Sequence, residues 1–281
     1  MNTPQLPMAP MTLDGSSVLH QMFRVRWETW RGCDPACQAQ TVREAAGWFE
    51  AAGAAPAGSQ SAAFAMLGHK GDLMLLHFRR DFPALLAAQA EVRRLRLFEY
   101  LEPMGSYVSA VELGLYESTR KMYDDLSGKG LEQGTEAWAA AIEETLERQR
   151  KAMAVRLYPE IPNMRYLCFY PMDKKRGEQR NWYAESFAAR QEMMSEHGAI
   201  GRKYAGLVKQ VISGSIGFDD WEWGVDLFAD NALLFKQLVY EMRFDEASAV
   251  YGLFGAFYLS LRLKPAALAG FMSGDVSGAI A

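Results

Sequence analysis

The chain has 281 residues, 49% of them hydrophobic, and a formal net charge of −4. That length buries enough apolar surface for a large core and for two modules of ordinary size. The mixed, slightly acidic charge excludes a nucleic-acid backbone as partner, and no apolar run approaches the roughly 18 residues of a membrane-spanning helix.

Residues 1–13 carry neither a basic start nor an apolar block, so they read as a ragged tail rather than a signal peptide, which points to the cytoplasm. Residues 18–30 have strand character, with His20, Met22, Arg24 and Arg26 alternating against Leu19, Gln21, Phe23 and Val25. The run CDPAC holds Cys33 and Cys37. No second Cys/His pair completes a zinc set, so these read as two ordinary thiols in a loop. With Cys168 they make three cysteines, too few for a disulfide framework. A helix is expected over 40–51, stopped by Gly53. A hairpin follows over 61–68 and 72–78, around His69 to Gly71. Asp81 caps a helix over 82–99 with Pro83 in its first turn, and 106–116 is another alternating strand.

The order then recurs. A strand is expected over 164–172, a helix over 185–196 closed by Gly198, strands over 207–213 and 221–229, a helix over 231–243 and a strand over 251–262. Each half reads β-α-β-β-α-β, a ferredoxin-like unit. Such a sheet leaves one face uncovered, and two of them can bury each other in a barrel-like α+β core. The expected division is an N-terminal ferredoxin-like module over 15–116, a connecting helical insert over 117–160, and a C-terminal module over 161–265. The Gly-rich tail from 266 is expected to be poorly ordered.

Four histidines are present: His20, His69, His77 and His197. His20 and His77 lie in apolar strands and read as core residues, and His69 as a turn residue. His197 ends an amphipathic helix and opens the run HGAIGRKYAGLVKQ. One histidine with no neighbouring cysteine or carboxylate ligand is too little for zinc, but it suffices for haem iron, where the porphyrin supplies four ligands. An acceptor on its second ring nitrogen would fix the tautomer.

The strand MRYLCFYPMDK places Tyr166, Cys168, Tyr170 and Met172 on one face, continued by Lys174. Such a row is usually core, but a tyrosine hydroxyl needs a partner when buried, and a lysine can deliver a proton. In RLYPEIP, Arg156 and Tyr158 are alternating donors suited to a propionate, although spacing alone favours a surface arginine and a packed tyrosine. Gln210, in an apolar strand, reads as a satisfied core amide or a pocket-lining one. GSIGF lacks a phosphate-loop pattern and reads as a turn. Trp221 and Trp223 share a strand face suited to packing or subunit contact, with Asp219 and Asp220 at the turn before it.

The segments YPMDKKRGEQRNWY, EHGAIGRKYAGLVKQVISGSIGFDDWEWGVDLF and LVYEMRFDEASAVYG closely resemble the coproheme decarboxylase branch of the chlorite dismutase-like haem proteins. The likeness is strong over 156–262 and weaker but in register through LHQMF, LGHKGDL and YLEPMGSYVSAVELGLY. It does not extend to the insert or the tails. The resemblance implies two ferredoxin-like modules, with haem in the C-terminal one, and a ring-shaped homopentamer. It implies His197 as proximal iron ligand, Tyr170 as the radical-forming tyrosine and Lys174 as its proton-transfer neighbour. Met172 and Gln210 would line the macrocycle, Arg156, Tyr158 and Ser248 would bind propionates, and Glu246 would be the acceptor for His197. Gln210 stands where true chlorite dismutases carry arginine, which argues against chlorite turnover; no distal histidine is evident.

The activity implied is peroxide-dependent decarboxylation of two propionates of iron-coproporphyrin III (coproheme) to haem b through a tyrosyl radical. The expected partners are coproheme, hydrogen peroxide and, transiently, the ferrochelatase that supplies the substrate. Rival readings are a non-enzymatic haem carrier or sensor, a chlorite dismutase or peroxidase, and a haem-free α+β barrel.

Overall fold

A computed structural model of the chain describes residues 9–276. The first half runs β1 (Thr12–Val25), α1 (Trp27–Gly32), α2 (Pro35–Gly53), β2 (Ser61–Met66), β3 (Leu73–Arg79), α3 (Phe82–Arg94) and β4 (Leu101–Gly114). Three helices follow: α4 (Tyr116–Gly128), α5 (Glu136–Ala152) and the single turn α6 (Ala154–Leu157). The second half runs β5 (Tyr166–Lys174), α7 (Phe187–Lys203), β6 (Lys209–Gly214), β7 (Trp223–Ala229), α8 (Leu233–Met242), the short α9 (Glu246–Ala249), β8 (Gly252–Phe254) and β9 (Tyr258–Leu263), with α10 (Leu268–Ser273) last.

The first four strands lie in the order β4-β1-β3-β2, and their counterparts in the second half in the order β6-β7-β5-β9. Both are ferredoxin-like orders. The half-sheets are joined at both edges: β4 pairs β6 through Ala110↔Gly214 and Val111↔Ser213, and β2 pairs β9 from Ala63↔Leu263 to Met66↔Ser260. These eight strands therefore close on themselves, leaving no open edge between the halves. Short β8 adds only to the end of β5, from Met172↔Phe254 to Lys174↔Gly252.

Alternation decides which side chains fill the barrel. Val18, Phe64, Met74, Leu76 and Phe78 from the first half meet Leu167, Phe169, Val211 and Phe228 from the second in one buried cluster. On the outer face of the first half, Phe23, Leu73 and Leu75 pack under α2, α3 and α10. On the outer face of the second, Cys168, Tyr170, Val225 and Leu227 pack against Phe235 and Leu238 of α8. Each buried Leu, Val or Phe is worth about 1.5–3 kcal/mol relative to exposure, so both faces of the sheet are stabilised by the strand period itself. Gly224 shows how tightly the interior is filled: a Cβ there would lie 2.8 Å from Tyr107 and 2.9 Å from Ser213 Oγ.

Several elements depart from the sequence expectation. The helix expected to stop at Gly198 continues to Lys203, and Gly198 does not adopt the positive φ of a stopping glycine. A helical glycine costs only about 1 kcal/mol, less than the packing of the last turns returns. The strand expected over 251–262 is split into β8 and β9, because its register against β5 shifts by one residue between Met172↔Phe254 and Phe169↔Tyr258. The expected first strand begins earlier and ends at Val25, where Trp27 opens α1. The C-terminal tail is not loose as far as residue 276: Leu268, Phe271 and Met272 are buried against the first half. Residues 1–8 and 277–281 lie outside the described residues.

Candidate functional site

α7 is started by Ser186, whose Oγ accepts the Ala189 N–H at 3.2 Å, and its inner face buries Phe187, Arg190 and Met193. His197 lies one turn beyond Met193 on that face, with 28% of its side chain exposed. Its Nδ1 lies 2.9 Å from Asp245 Oδ2 and 3.3 Å from Ser248 Oγ. Asp245 is 1% exposed. Its other oxygen, Oδ1, caps α9 by accepting the Ser248 N–H at 2.8 Å. A neutral imidazole donating from Nδ1 to this carboxylate keeps its Nε2 lone pair for a metal. The acceptor is therefore Asp245 and not the expected Glu246, whose place inside the short helix α9 turns it away. Asp-Glu-Ala-Ser is a capping sequence, and the cap position is the one that faces α7.

Tyr170 is 5% exposed, with the Phe257 ring stacked at 4.4 Å and Phe254 at 6.0 Å. Burial pushes its hydroxyl well above the ordinary tyrosine range, with a smaller opposing pull from Arg243. The guanidinium of Arg243 lies 3.7 Å from the Phe254 ring centre, a cation beside this aromatic group that sequence reasoning did not single out. Met172, Phe254 and Phe257 are only partly buried around it, so an apolar wall is left incompletely covered.

Lys174 continues the strand as expected and is 7% exposed. Its Nζ is turned to α9, where it donates to Ala247 O at 2.8 Å and lies 4.5 Å from the Trp182 ring centre. Burial lowers its pKa to about 8, against the pull of Asp245 and Glu222. The lysine and the histidine are thus both tied to the Asp245–Ser248 turn.

Gln210 is exposed on β6 and not a core amide. A Cβ on Gly201, one helical turn after His197, would lie 3.5 Å from Gln210 Nε2 and from Met242, so the amide lies against α7 one turn beyond the histidine. Arg156 and Tyr158 are not an extended alternating pair. Arg156 is exposed on α6 and Tyr158 ends that turn, under the Arg80 guanidinium at 4.8 Å. α6 can sit there because Gly15 has no side chain: a Cβ would come within 2.0 Å of Leu157 O. Among the described residues, no hydrogen bond or ring contact links Arg156 or Tyr158 to the His197 group.

The other histidines are accounted for. His20 is buried in the barrel, 2.8 Å from Asp226 and stacked on Phe169 at 3.9 Å. His77 lies between Ser61 Oγ at 2.8 Å and Gln21 Oε1 at 3.1 Å, and burial drives its pKa down to about 3. His69 is exposed in the β2–β3 turn. Among the described residues no group of three or more metal-ligating side chains includes His197. A single imidazole anchored by a carboxylate fits a planar macrocycle that brings its own ligands.

Comparison with known proteins identifies the family. The family described as chlorite dismutase matches residues 38–263. A coproheme decarboxylase of Staphylococcus saprophyticus is 42% identical over 258 residues, covering 90% of this chain and 94% of that protein. A haem-binding protein from Thermus thermophilus superposes with a TM-score of 0.80 at 36% identity, covering 96% of this chain and 99% of the other. A chlorite dismutase from Candidatus Nitrospira defluvii shares the fold, with a TM-score of 0.67 at 17% identity and 92% of this chain covered. By sequence match and by fold, the chain belongs to the chlorite dismutase family.

Proposed function

We propose that the protein decarboxylates two propionates of iron-coproporphyrin III to vinyl groups, consuming hydrogen peroxide and yielding haem b. For each propionate, one peroxide accepts two electrons and two protons, giving one carbon dioxide and two waters. The iron of the bound substrate supplies the redox chemistry with peroxide; the chain supplies position, proton control and a hydrogen-abstracting side chain. The observation that carries the reading is the His197–Asp245 contact, which leaves the other imidazole nitrogen to a ligand, while Lys174 on the Tyr170 strand is tied to the same α9 turn.

In this reading His197 Nε2 is the axial ligand, and Asp245 with Ser248 holds the ring. Tyr170 stays protonated in its buried setting, so what it can give up is a hydrogen atom, and its radical takes hydrogen from the propionate β-carbon. Lys174, with an amine that titrates near neutrality, can exchange protons with a carboxylate. Met172 and Gln210 border the macrocycle. Arg156, Tyr158 and Arg243 are the donors assigned to substrate carboxylates, and Ser248 supports His197 in addition to the propionate contact expected of it. The C-terminal module over 161–265 is the porphyrin-binding one, and 117–160 connects it to the first. Assembly as a homopentamer, a cytoplasmic site of action and a transient contact with the ferrochelatase that delivers coproheme belong to the same proposal. No helix among the described residues is long and apolar enough to cross a membrane.

The test is turnover of coproheme by Tyr170→Phe with titrated peroxide, followed by mass spectrometry of the porphyrin. The variant is expected to bind coproheme and to yield no divinyl product; full conversion sinks the tyrosyl role. Wild-type protein that binds coproheme but leaves it unchanged under peroxide is a carrier. His197→Ala is expected to change the absorption spectrum of the complex, and an unchanged spectrum means another ligand.

A further inference from the structure

The first half carries a second cluster of reactive side chains for which the haem chemistry has no use. The CDPAC run is not a plain loop. Cys33 follows the last residue of α1, and Cys37 lies in the first turn of the long helix α2. Asp34 caps α2, its Oδ1 accepting the N–H groups of Ala36 and Cys37 at 3.0 Å. The two sulfurs and an Asp34 oxygen all lie within 4.8 Å of one another. Tyr100 is 8% exposed and held edge-on by Trp30 at 5.0 Å. Its hydroxyl donates to Cys33 Sγ at 3.2 Å and lies 3.7 Å from Cys37 Sγ.

Three features of this cluster favour sulfur redox chemistry. Both thiols are half-buried at the surface, whereas Cys168 is buried. Cys37 has a helix N-terminus behind its sulfur, a setting that stabilises thiolate, and its pKa is lowered by the contacts with Cys33 and Tyr100. With one Asp34 oxygen committed to the helix cap, the cluster offers two thiols and not the closed set of four ligands of a structural metal site.

We propose that Cys33 and Cys37 are a dithiol that hydroperoxide converts to a reducible intramolecular disulfide. The Cys37 thiolate attacks one peroxide oxygen: an S–O bond forms, the O–O bond breaks, and hydroxide leaves and is protonated to water. The Cys33 thiol then loses its proton and attacks the Cys37 sulfur: the S–S bond forms, the S–O bond breaks, and a second water leaves. Two thiols are oxidised by two electrons and one peroxide is reduced to two waters. The Tyr100 hydroxyl, 3.7 Å from Cys37 Sγ, turns its hydrogen from Cys33 to the Cys37 thiolate and stabilises the charge before attack. A neighbouring thiol that resolves the sulfenic acid keeps Cys37 from the irreversible sulfinic state, a useful protection for a protein whose proposed reaction consumes peroxide.

The experiment uses the full-length chain without porphyrin, so its outcome is independent of the haem reading. Protein is treated with hydrogen peroxide, quenched with an alkylating agent and mapped by peptide mass spectrometry. The expected result is a Cys33–Cys37 cross-linked peptide that dithiothreitol removes, formed about tenfold faster than oxidation of an unstructured peptide thiol. Cys33→Ser should instead accumulate a sulfenic acid at Cys37, trapped by dimedone, and Tyr100→Phe should slow the wild-type rate. Three results overturn the proposal: both thiols still alkylated after peroxide, cross-links only between chains, or purified wild-type protein holding a stoichiometric metal ion that shields both sulfurs.

Discussion

Asp245 has two carboxylate oxygens and two tasks: Oδ1 caps α9 and Oδ2 holds the His197 ring. Asp245→Asn separates them. Asparagine caps a helix about as well as aspartate, so global stability should fall by no more than about 1 kcal/mol. Affinity for iron porphyrin should fall about 10- to 100-fold, as for other lost partners of metal-bound histidines. Coproheme titration and thermal unfolding on the same variant read the two effects, and unchanged affinity would remove Asp245 from the ligand-orienting role.

Lys174 makes a second prediction at this scale. The groups facing it are Asp245 and Glu222, and burial outweighs both, giving a pKa of about 8 against 10.5 for the free side chain. Below about 8 the amine is charged in folded and unfolded chains alike, and the burial penalty is fully present. Between about 8 and 10.5 the unfolded chain holds a proton that the folded one has released, so this group makes stability rise with pH. Lys174→Met should abolish that part of the rise between pH 7 and 9 in urea unfolding. Equal slopes in wild type and variant would show that the amine does not titrate there.

At the scale of elements, α7 runs through Gly198 and Gly201 without a break. A Cβ at Gly198 meets only the flexible end of Arg202, at 3.2 Å. Gly198→Ala is therefore expected to stabilise the helix by up to about 1 kcal/mol, raising Tm by about 2–4 °C. A lowered Tm would mean that the helix needs a kink at this point. The same element explains why Gly198 misled a purely local reading. A glycine after a histidine is a stop signal when nothing lies beyond it, yet here Tyr204 is buried against the second-half core and gives the last turn something to pack on.

For the whole molecule, the link between the halves is partly polar. His20 on β1 and Asp226 on β7 are both 0% exposed and 2.8 Å apart, one from each ferredoxin-like unit. Removing one member of such a pair leaves the other buried without its hydrogen-bond partner, at a cost of about 1–3 kcal/mol. Asp226→Ala should lose stability of that order, and Asp226→Asn, which keeps an acceptor in place, should lose less. Urea unfolding monitored by tryptophan fluorescence and by circular dichroism should show one coincident transition in wild type, because the halves share strand pairs at two seams. Both variants within about 0.5 kcal/mol of wild type, an ordinary surface effect, would refute the pairing argument.

The sequence by itself determined the twice-repeated β-α-β-β-α-β order, the strand faces and the Asp81 cap. Each of these is written in spacing of two or 3.6 residues, or in a capping residue beside its helix, and so is readable over a dozen positions. Only the tertiary structure decided that β4 meets β6 and β2 meets β9, that Asp245 rather than Glu246 faces His197, that Lys174 turns to α9, and that Gln210 is exposed. It also set Cys33, Cys37 and Tyr100 around one another and packed α10 onto the first half. Those outcomes depend on which surfaces meet across tens to hundreds of residues. Close packing selects that meeting by shape and by the satisfaction of buried polar groups, and no local period records it.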